Sequence, residues 1–332
     1  MGKLTDILIT KRPLNRKVIV ITGASSGVGR AAALEFAQHG ATLILAARRE
    51  NALVELVEEC ESLGAKAVAV PTDVSDAEAV QALAHAAIDS GGRIDVWINN
   101  AGVLAAGPFS ETPVEINDRV IDINLKGYLH GAYAVLPFFK KQNHGVIINN
   151  ISVGGWIPTP YAAGYTASKY GLKGFGQALR AELRDWPDIH VCDMFPAFLD
   201  TPGIQHAANY TEVELKPAPP VFDPKTVARA MVKLSQRPKA ITITDAYAPF
   251  LKLSYGIFPG LFTAITAKVI STYLEKGNPI KSTTGNVFDP VGFGTSVYGG
   301  WRNSRIKPFT KVGAALLLAG VALVLSRNVF KK

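Results

Sequence analysis

The chain alternates short apolar runs rich in β-branched residues with longer stretches whose apolar positions recur at helical spacing. Residues 18–22, 42–46, 66–70, 94–98, 145–149 and 190–194 read as six strands. Between them, 29–40, 50–63, 76–90, 113–140 and 161–185 read as helices, the first closed by Gly40. The strands are apolar on both faces and alternate with helices, which predicts an α/β, doubly wound parallel sheet covered on both sides. After Pro196 the pattern loosens, and the proline-rich stretch to 222 reads as a loop. Asp223 and Pro224 suit the N-cap and first position of a helix to about 236. Residues 239–244 suit a seventh strand, 247–275 are apolar and helix-compatible, and 277–308, rich in Gly, Pro, Ser and Asn, read as an extended connector. The expected domains are a basic segment at 1–15, a catalytic domain at 16–250, a helical extension with its connector at 251–308, and a membrane-anchoring helix at 309–332.

Composition narrows the class. Apolar residues are 48% of the chain and charged residues 19%, enough for a large core and against global disorder. The two cysteines, Cys60 and Cys192, cannot form a disulfide framework, and none of the six histidines belongs to a ligand set, so no metal is expected. The net charge of +8 is concentrated at the ends: +4 over residues 1–17, +7 over 290–332 and −3 over the rest. A near-neutral body with basic ends argues against a nucleic-acid partner and suits an anionic membrane surface. Residues 312–325 carry no charge, and taken from Phe309 to Phe330 the segment would reach about 33 Å as a helix. With no apolar leader in the first seventeen residues, the expectation is a cytoplasmic catalytic body attached to a membrane through its C-terminus, by a helix that spans the bilayer or inserts partway, the alternative being a helix packed on the body or at a dimer contact.

Two groups of residues carry chemistry. The first strand runs into Thr22, Gly23, Ala24, Ser25, Ser26, Gly27, Val28 and Gly29, with a helix following. Such a turn presents backbone N–H groups and a helix N-terminus to a pyrophosphate. The second strand ends at Arg48 and Arg49 with no acid before Glu50. A guanidinium suits a ribose 2′-phosphate, which a carboxylate would repel, so NADP(H) is preferred, with Arg48 the first choice for the clamp, Arg49 the second, and NAD(H) still open. Farther on, Tyr165 and Lys169 stand at i and i+4 on one helical face, Ser152 just past the fifth strand, and Asn124 on the middle helix. A free tyrosine is a poor base at neutral pH, and a neighbouring ammonium favours the phenolate and lowers its pKa.

Together with Asn100, Ala101 and Gly102 after the fourth strand, these motifs stand in the order and spacing of the short-chain dehydrogenase/reductase family, which residues 16–245 resemble. The resemblance implies a Rossmann-type sheet of seven parallel strands. It makes Tyr165 the acid/base and gives Lys169 the nicotinamide ribose and the lowering of the tyrosine pKa. Ser152 would polarise the carbonyl, and Asn124 would hold a water linking Lys169 to solvent. Asp73 and Val74 would meet adenine, Asn100 to Gly102 would line its ribose, and Pro196 and Thr201 would lie by the nicotinamide. The chain departs from the family in having Ala197 after Pro196. The expected reaction is hydride transfer between NADP(H) and an alcohol or ketone, hydrophobic if Phe195 and Phe198 and the apolar 247–275 stretch border a pocket formed by 197–222. A non-catalytic NADP-binding regulator and an epimerase or dehydratase are the alternatives, and homo-oligomerisation is left open.

Overall fold

The computed structural model describes residues 12–302. Seven strands, β1 (Val18–Thr22), β2 (Thr42–Ala47), β3 (Lys66–Pro71), β4 (Val96–Asn99), β5 (Gly145–Asn150), β6 (Ile189–Met194) and β7 (Ile241–Thr242), form one sheet in the order β3-β2-β1-β4-β5-β6-β7. Every pairing is parallel. Parallel neighbours need crossovers, and those are α1 (Gly27–Ala37), α2 (Glu50–Ser62), α3 (Ala77–Gly91), α4 (Val114–Ile121), α5 (Gly127–Gln142), α6 (Ala163–Glu182) and α7 (Pro224–Gln236). Because alternate residues of a strand face opposite ways, the sheet feeds two cores: Ile19, Ile21, Leu43 and Leu45 pack on one side, and Val18, Val20, Ile44 and Trp97 on the other. The chain reverses its winding between β1 and β4, which opens a crevice at the carboxyl ends of those strands.

Beneath that crevice lies a buried polar chain. The Trp97 indole donates to Asn99 Oδ1 at 2.8 Å, Asn99 Nδ2 to Asn149 Oδ1 at 3.0 Å, and Asn149 Nδ2 to Asp193 Oδ1 at 3.0 Å. Arg180 on α6 closes it, 2.7 Å from Asp193 Oδ2. The chain ties β4, β5 and β6 to α6 below the ends of the strands, and every buried link has a partner.

Four sequence expectations change. The single helix expected over 113–140 is two α-helices joined by a π-helical turn at Asp122–Lys126. The seventh strand shrinks to two residues, Ile241 and Thr242, which pair with Asp193 and Met194 of β6. The apolar stretch at 247–275 is a pair, α8 (Tyr247–Ile257) and α9 (Pro259–Lys276), bent by 120° at Phe258. Among the described residues no single helix is long and apolar enough to span a membrane, although this bent pair together meets the criteria of length and composition. The expected anchor at 309–332 and most of the basic segment at 1–15 lie outside the described residues. Lastly, the 277–308 stretch, as far as it is described, is no free connector: residues 279–302 run back over the body and bond to it at many points.

Two glycines in α6 are opposed in what they permit. Gly174 is exposed with nothing within 4 Å of where a Cβ would stand, whereas a Cβ at Gly176 would lie 2.3 Å from Asp193 Oδ2. Gly174→Ala should stabilise the chain by about 0.5–1 kcal/mol through lower backbone entropy in the unfolded state. Gly176→Ala should cost about 1–3 kcal/mol. Urea midpoints of the two variants moving in the same direction would contradict this packing.

Candidate functional site

The Gly-rich turn is shaped by how closely two backbones approach. Gly23 has φ +64°, and a Cβ there would fall 2.6 Å from the Ala101 Cα; one at Gly29 would fall 2.2 Å from the Gly23 carbonyl oxygen. Thr22 Oγ1 accepts from the Asn100 and Ala101 N–H groups at 3.0 and 3.2 Å and donates to the Ile98 carbonyl. Asn100 Nδ2 donates to the carbonyls of Thr22 and Gly23, and its Oδ1 accepts from Asn150 Nδ2. Thr22 and Asn100 thus sew β1 to the loop after β4, so Gly23, Ala101 and Gly102 line one wall of the crevice.

The residues expected to be catalytic converge at the other end of that crevice. Tyr165 and Lys169 lie one turn apart on α6, with Lys169 Nζ 5.5 Å from the Tyr165 ring centre and equally far from the ring of Tyr128. Ser152 hydrogen-bonds the Tyr165 hydroxyl. Ser152 stands at φ +132°, a backbone region that costs a non-glycine residue on the order of 1–3 kcal/mol. Its Oγ accepts from the Gly154 N–H at 3.1 Å, which holds the hydroxyl beside α6. Asn124 sits in the π-helical turn, fully buried, accepting from Val103 N at 2.7 Å and donating to Val103 O and to Ser168 Oγ. Its amide is therefore a clamp between the β4 loop and α6, with both side-chain donors committed to protein. A π turn bulges one residue out of a helix and often marks a functional position.

Burial governs the ionisation of the pair. It pushes the Tyr165 phenol up, with the Ser152 hydrogen bond pulling back, and it pushes the Lys169 ammonium down to about 7. The sequence expectation that the ammonium lowers the phenol is thus outweighed, in the chain alone, by the desolvation that both groups share.

Near the end of the crevice expected to face adenine, burial raises the carboxyl of Asp73, but hydrogen bonds from Ser75 and the Arg119 guanidinium more than compensate, so it lies below its usual range. Arg119 pairs with Asp73 at 2.5 Å. Val74 is buried beside this pair in the chain. Arg48 and Arg49 do not project freely into the crevice: Arg48 donates to the carbonyls of Asn286, Val287 and Phe288, and Arg49 to those of Val291, Phe293 and Gly294 and to Ser25 Oγ. The Gly27 N–H is taken by the Ser296 carbonyl at 3.0 Å. Ser26 is the N-cap of α1 without a side-chain capping bond, and Val28 is buried in the first turn of α1. Pro196 accepts from Val153 N, and Thr201 lies against Gly27.

One expectation about the pocket changes. Phe195 is not at an entrance; it is buried and stacked on Trp156 at 4.0 Å. A cavity of about 420 Å3 opens beside the first turn of α6, lined by Pro108, Phe109, Pro160, Tyr161 and Ala162 and closed by Ala267 of α9. No residue of 197–222 lines it. Sequence reasoning also missed Arg119, Tyr128 and Ser168. Ser168 follows Tyr165 by three residues, so helical spacing held a signal for it; Tyr128 and Arg119 are brought in only by tertiary packing.

The donor set suits a dinucleotide: a glycine cradle that a Cβ would fill, guanidinium groups at its adenosine end, and a buried Tyr–Lys–Ser group at the other. A family model described as short chain dehydrogenase matches residues 17–211. An uncharacterized oxidoreductase of Bacillus subtilis, YxnA, is 31% identical over 89% of this chain and 84% of its own length. The 3-oxoacyl-[acyl-carrier-protein] reductase FabG of Thermotoga maritima is 34% identical over 67% of this chain and 91% of its own. Among solved structures, an alcohol dehydrogenase from the archaeon Thermococcus sibiricus, complexed with 5-hydroxy-NADP, superposes with a TM-score of 0.60 at 27% identity, covering 68% of this chain and 95% of its own.

The depressed lysine has a measurable signature. A lysine whose pKa falls from 10.5 unfolded to about 7 folded binds fewer protons when folded, so stability rises with pH between those values. Below about 7 the burial penalty is fully present, on the order of a few kcal/mol. Lys169→Met should therefore be more stable than the parent at pH 7, with the gap closing as pH approaches 10. A constant gap in urea denaturation at pH 7, 8 and 9 would contradict a desolvated ammonium.

Proposed function

The chain belongs to the short-chain dehydrogenase/reductase family, and on that premise we propose that it is an NADP(H)-preferring oxidoreductase that interconverts a hydroxyl and a carbonyl on an apolar substrate. The observation that carries the reading is the gathering of Tyr165, Lys169 and Ser152 at one end of a glycine-cradled crevice. When bound, the nicotinamide supplies or accepts the hydride. The Tyr165 hydroxyl gives a proton to the substrate oxygen in reduction and takes it in oxidation, and Ser152 donates a hydrogen bond to that oxygen. Lys169 holds the nicotinamide ribose and biases the phenol when protonated. Holding donor and acceptor in one geometry supplies much of the acceleration. NADP(H) is favoured by Arg48 and Arg49 and by the absence of an acid at the end of β2, and a neighbour of the same fold binds an NADP derivative. The cavity walled by Pro108, Phe109, Pro160 and Ala267 supports an apolar substrate. Attachment to a membrane through 309–332 is part of the same proposal, supported by the uncharged run and its basic flanks.

A panel of carbonyl compounds assayed with NADPH and NADH tests the reading. Tyr165→Phe should lower carbonyl reduction by about 10²–10⁴-fold. Retained turnover across the active substrates would overturn the mechanism. Because burial raises the phenol, it is protonated at neutral pH. Reduction should hold there and decline as pH rises, and alcohol oxidation should climb over the same range. Arg48→Asp should reduce the NADPH/NADH ratio of kcat/KM by at least about tenfold, the worth of one charge-assisted bond. An unchanged ratio would transfer the clamp to Arg49.

A further inference from the structure

Residues 283–302 lie across the dinucleotide crevice, and their contacts fall on the atoms a dinucleotide would need. Three carbonyls, from Asn286, Val287 and Phe288, converge on the Arg48 guanidinium, the Phe288 oxygen at 2.7 Å. Three more, from Val291, Phe293 and Gly294, converge on Arg49, the Phe293 oxygen at 2.7 Å. The Ser296 carbonyl takes the Gly27 N–H of the phosphate loop. The Val287 side chain is fully buried, in the apolar cluster that contains Val74 and at whose margin Ala101 sits, and Arg119, the partner of Asp73, donates to its carbonyl at 3.4 Å. One segment thereby engages the guanidinium groups, the adenine-side apolar surface and a backbone donor of the phosphate loop together.

We propose that residues 285–297 form an autoinhibitory strap that occupies the adenosine half of the crevice and is displaced by the dinucleotide, an inference that rests on the cofactor reading above. The chemistry of the contacts makes displacement feasible. The strap offers the guanidinium groups neutral carbonyl oxygens, whereas a 2′-phosphate offers charged ones, and charge-assisted bonds are roughly twice as strong. Arg48 is half-buried, so an anion there meets a donor already stripped of much of its water. The closed arrangement also leaves a defect. Asn286 Oδ1 is buried without a hydrogen-bond partner, and such an atom weakens the strap's hold. The strap is fastened outside the crevice at both ends: Thr283 pairs with Asn209 in both directions, at 2.8 and 3.0 Å, and the Asp200 carboxylate accepts from Gly299 N and Trp301 N, the latter at 2.8 Å. The middle can therefore lift while both ends stay fixed. An affinity measured on such a chain equals the intrinsic affinity multiplied by the open fraction, so closure penalises every dinucleotide by one common factor.

The test uses the full chain and two substitutions that open the strap without altering charge. Val287→Asn places an amide in the apolar slot. Gly294→Val acts at a distance from it, since Gly294 has φ +67° and a Cβ there would fall 2.3 Å from His206 Nε2. Dissociation constants for NADPH and for NADH, measured by protein fluorescence quenching, should fall by about tenfold or more in both variants, and by the same factor for the two dinucleotides. In the parent chain, saturating NADPH should accelerate amide hydrogen exchange over 285–297 while slowing it over 22–30. Unchanged affinities in both variants, a gain confined to one dinucleotide, or greater protection of 285–297 with NADPH would overturn the strap, the last by making it a cover over the cofactor. If neither the parent nor the opened variants bind either dinucleotide, the cofactor reading itself fails; binding with equal affinity in all three leaves that reading standing and removes the strap.

Discussion

The molecule is organised around a backbone-to-backbone approach at the point where the sheet changes winding direction. The end of β1 and the loop after β4 come so close that Gly23 and Gly29 admit no side chain, and Thr22 and Asn100 hold the contact with five hydrogen bonds. That approach sets the floor of the crevice. It also fixes Ala101 and Gly102 relative to Asn124, which clamps the same loop to α6 through Val103 and Ser168. The positions of Tyr165 and Lys169 are thus inherited from the β1–β4 junction through one buried asparagine, and the polar chain from Trp97 to Arg180 stiffens the platform below.

Desolvation gives the site its chemical character. Tyr165 and Lys169 are each driven toward neutrality, the phenol by a rising pKa and the amine by a falling one. A group held near neutral pH changes charge in response to small electrostatic changes, and a ligand's phosphates and hydroxyls entering the crevice would provide them. Ser152 pays for its position in backbone strain and in return presents its hydroxyl to the phenol. In this reading the strain and the low-dielectric surroundings serve catalysis, with the wider fold absorbing their cost.

Much of this was legible in the chain. Two-faced apolar strands alternating with helices can fold only as a covered parallel sheet, and the glycines at 23, 27 and 29 and the pair at 165 and 169 mark the crevice ends by spacing alone. What was illegible has a common cause. The strap is bound through its backbone carbonyls, which every sequence possesses, so a stretch rich in Gly, Pro, Ser and Asn looked like a connector. The π turn at 122–126 leaves helical spacing nearly intact and reads as continuous helix. Phe195 looked like a pocket residue because its neighbour in space, Trp156, is thirty-nine positions away. The cavity wall from Ala267 comes from a helix pair that breaks at Phe258, where Pro259 opens the second helix, a local signal that the continuous apolar run masked.

The Asp200 carboxylate, which grips the backbone of Gly299 and Trp301, has a kinetic meaning. A segment fastened at both ends returns to its seat in a first-order step whose rate does not depend on any concentration. Closing a loop of about ten residues takes on the order of 10–100 ns. A departing molecule must diffuse back at a rate set by its abundance, at best about 10⁹ M⁻¹s⁻¹, so at micromolar levels recapture is about 10⁴–10⁵ times slower. The carboxylate at residue 200 therefore keeps a competing segment at hand: once the crevice empties, it reseats ahead of a molecule returning from solution.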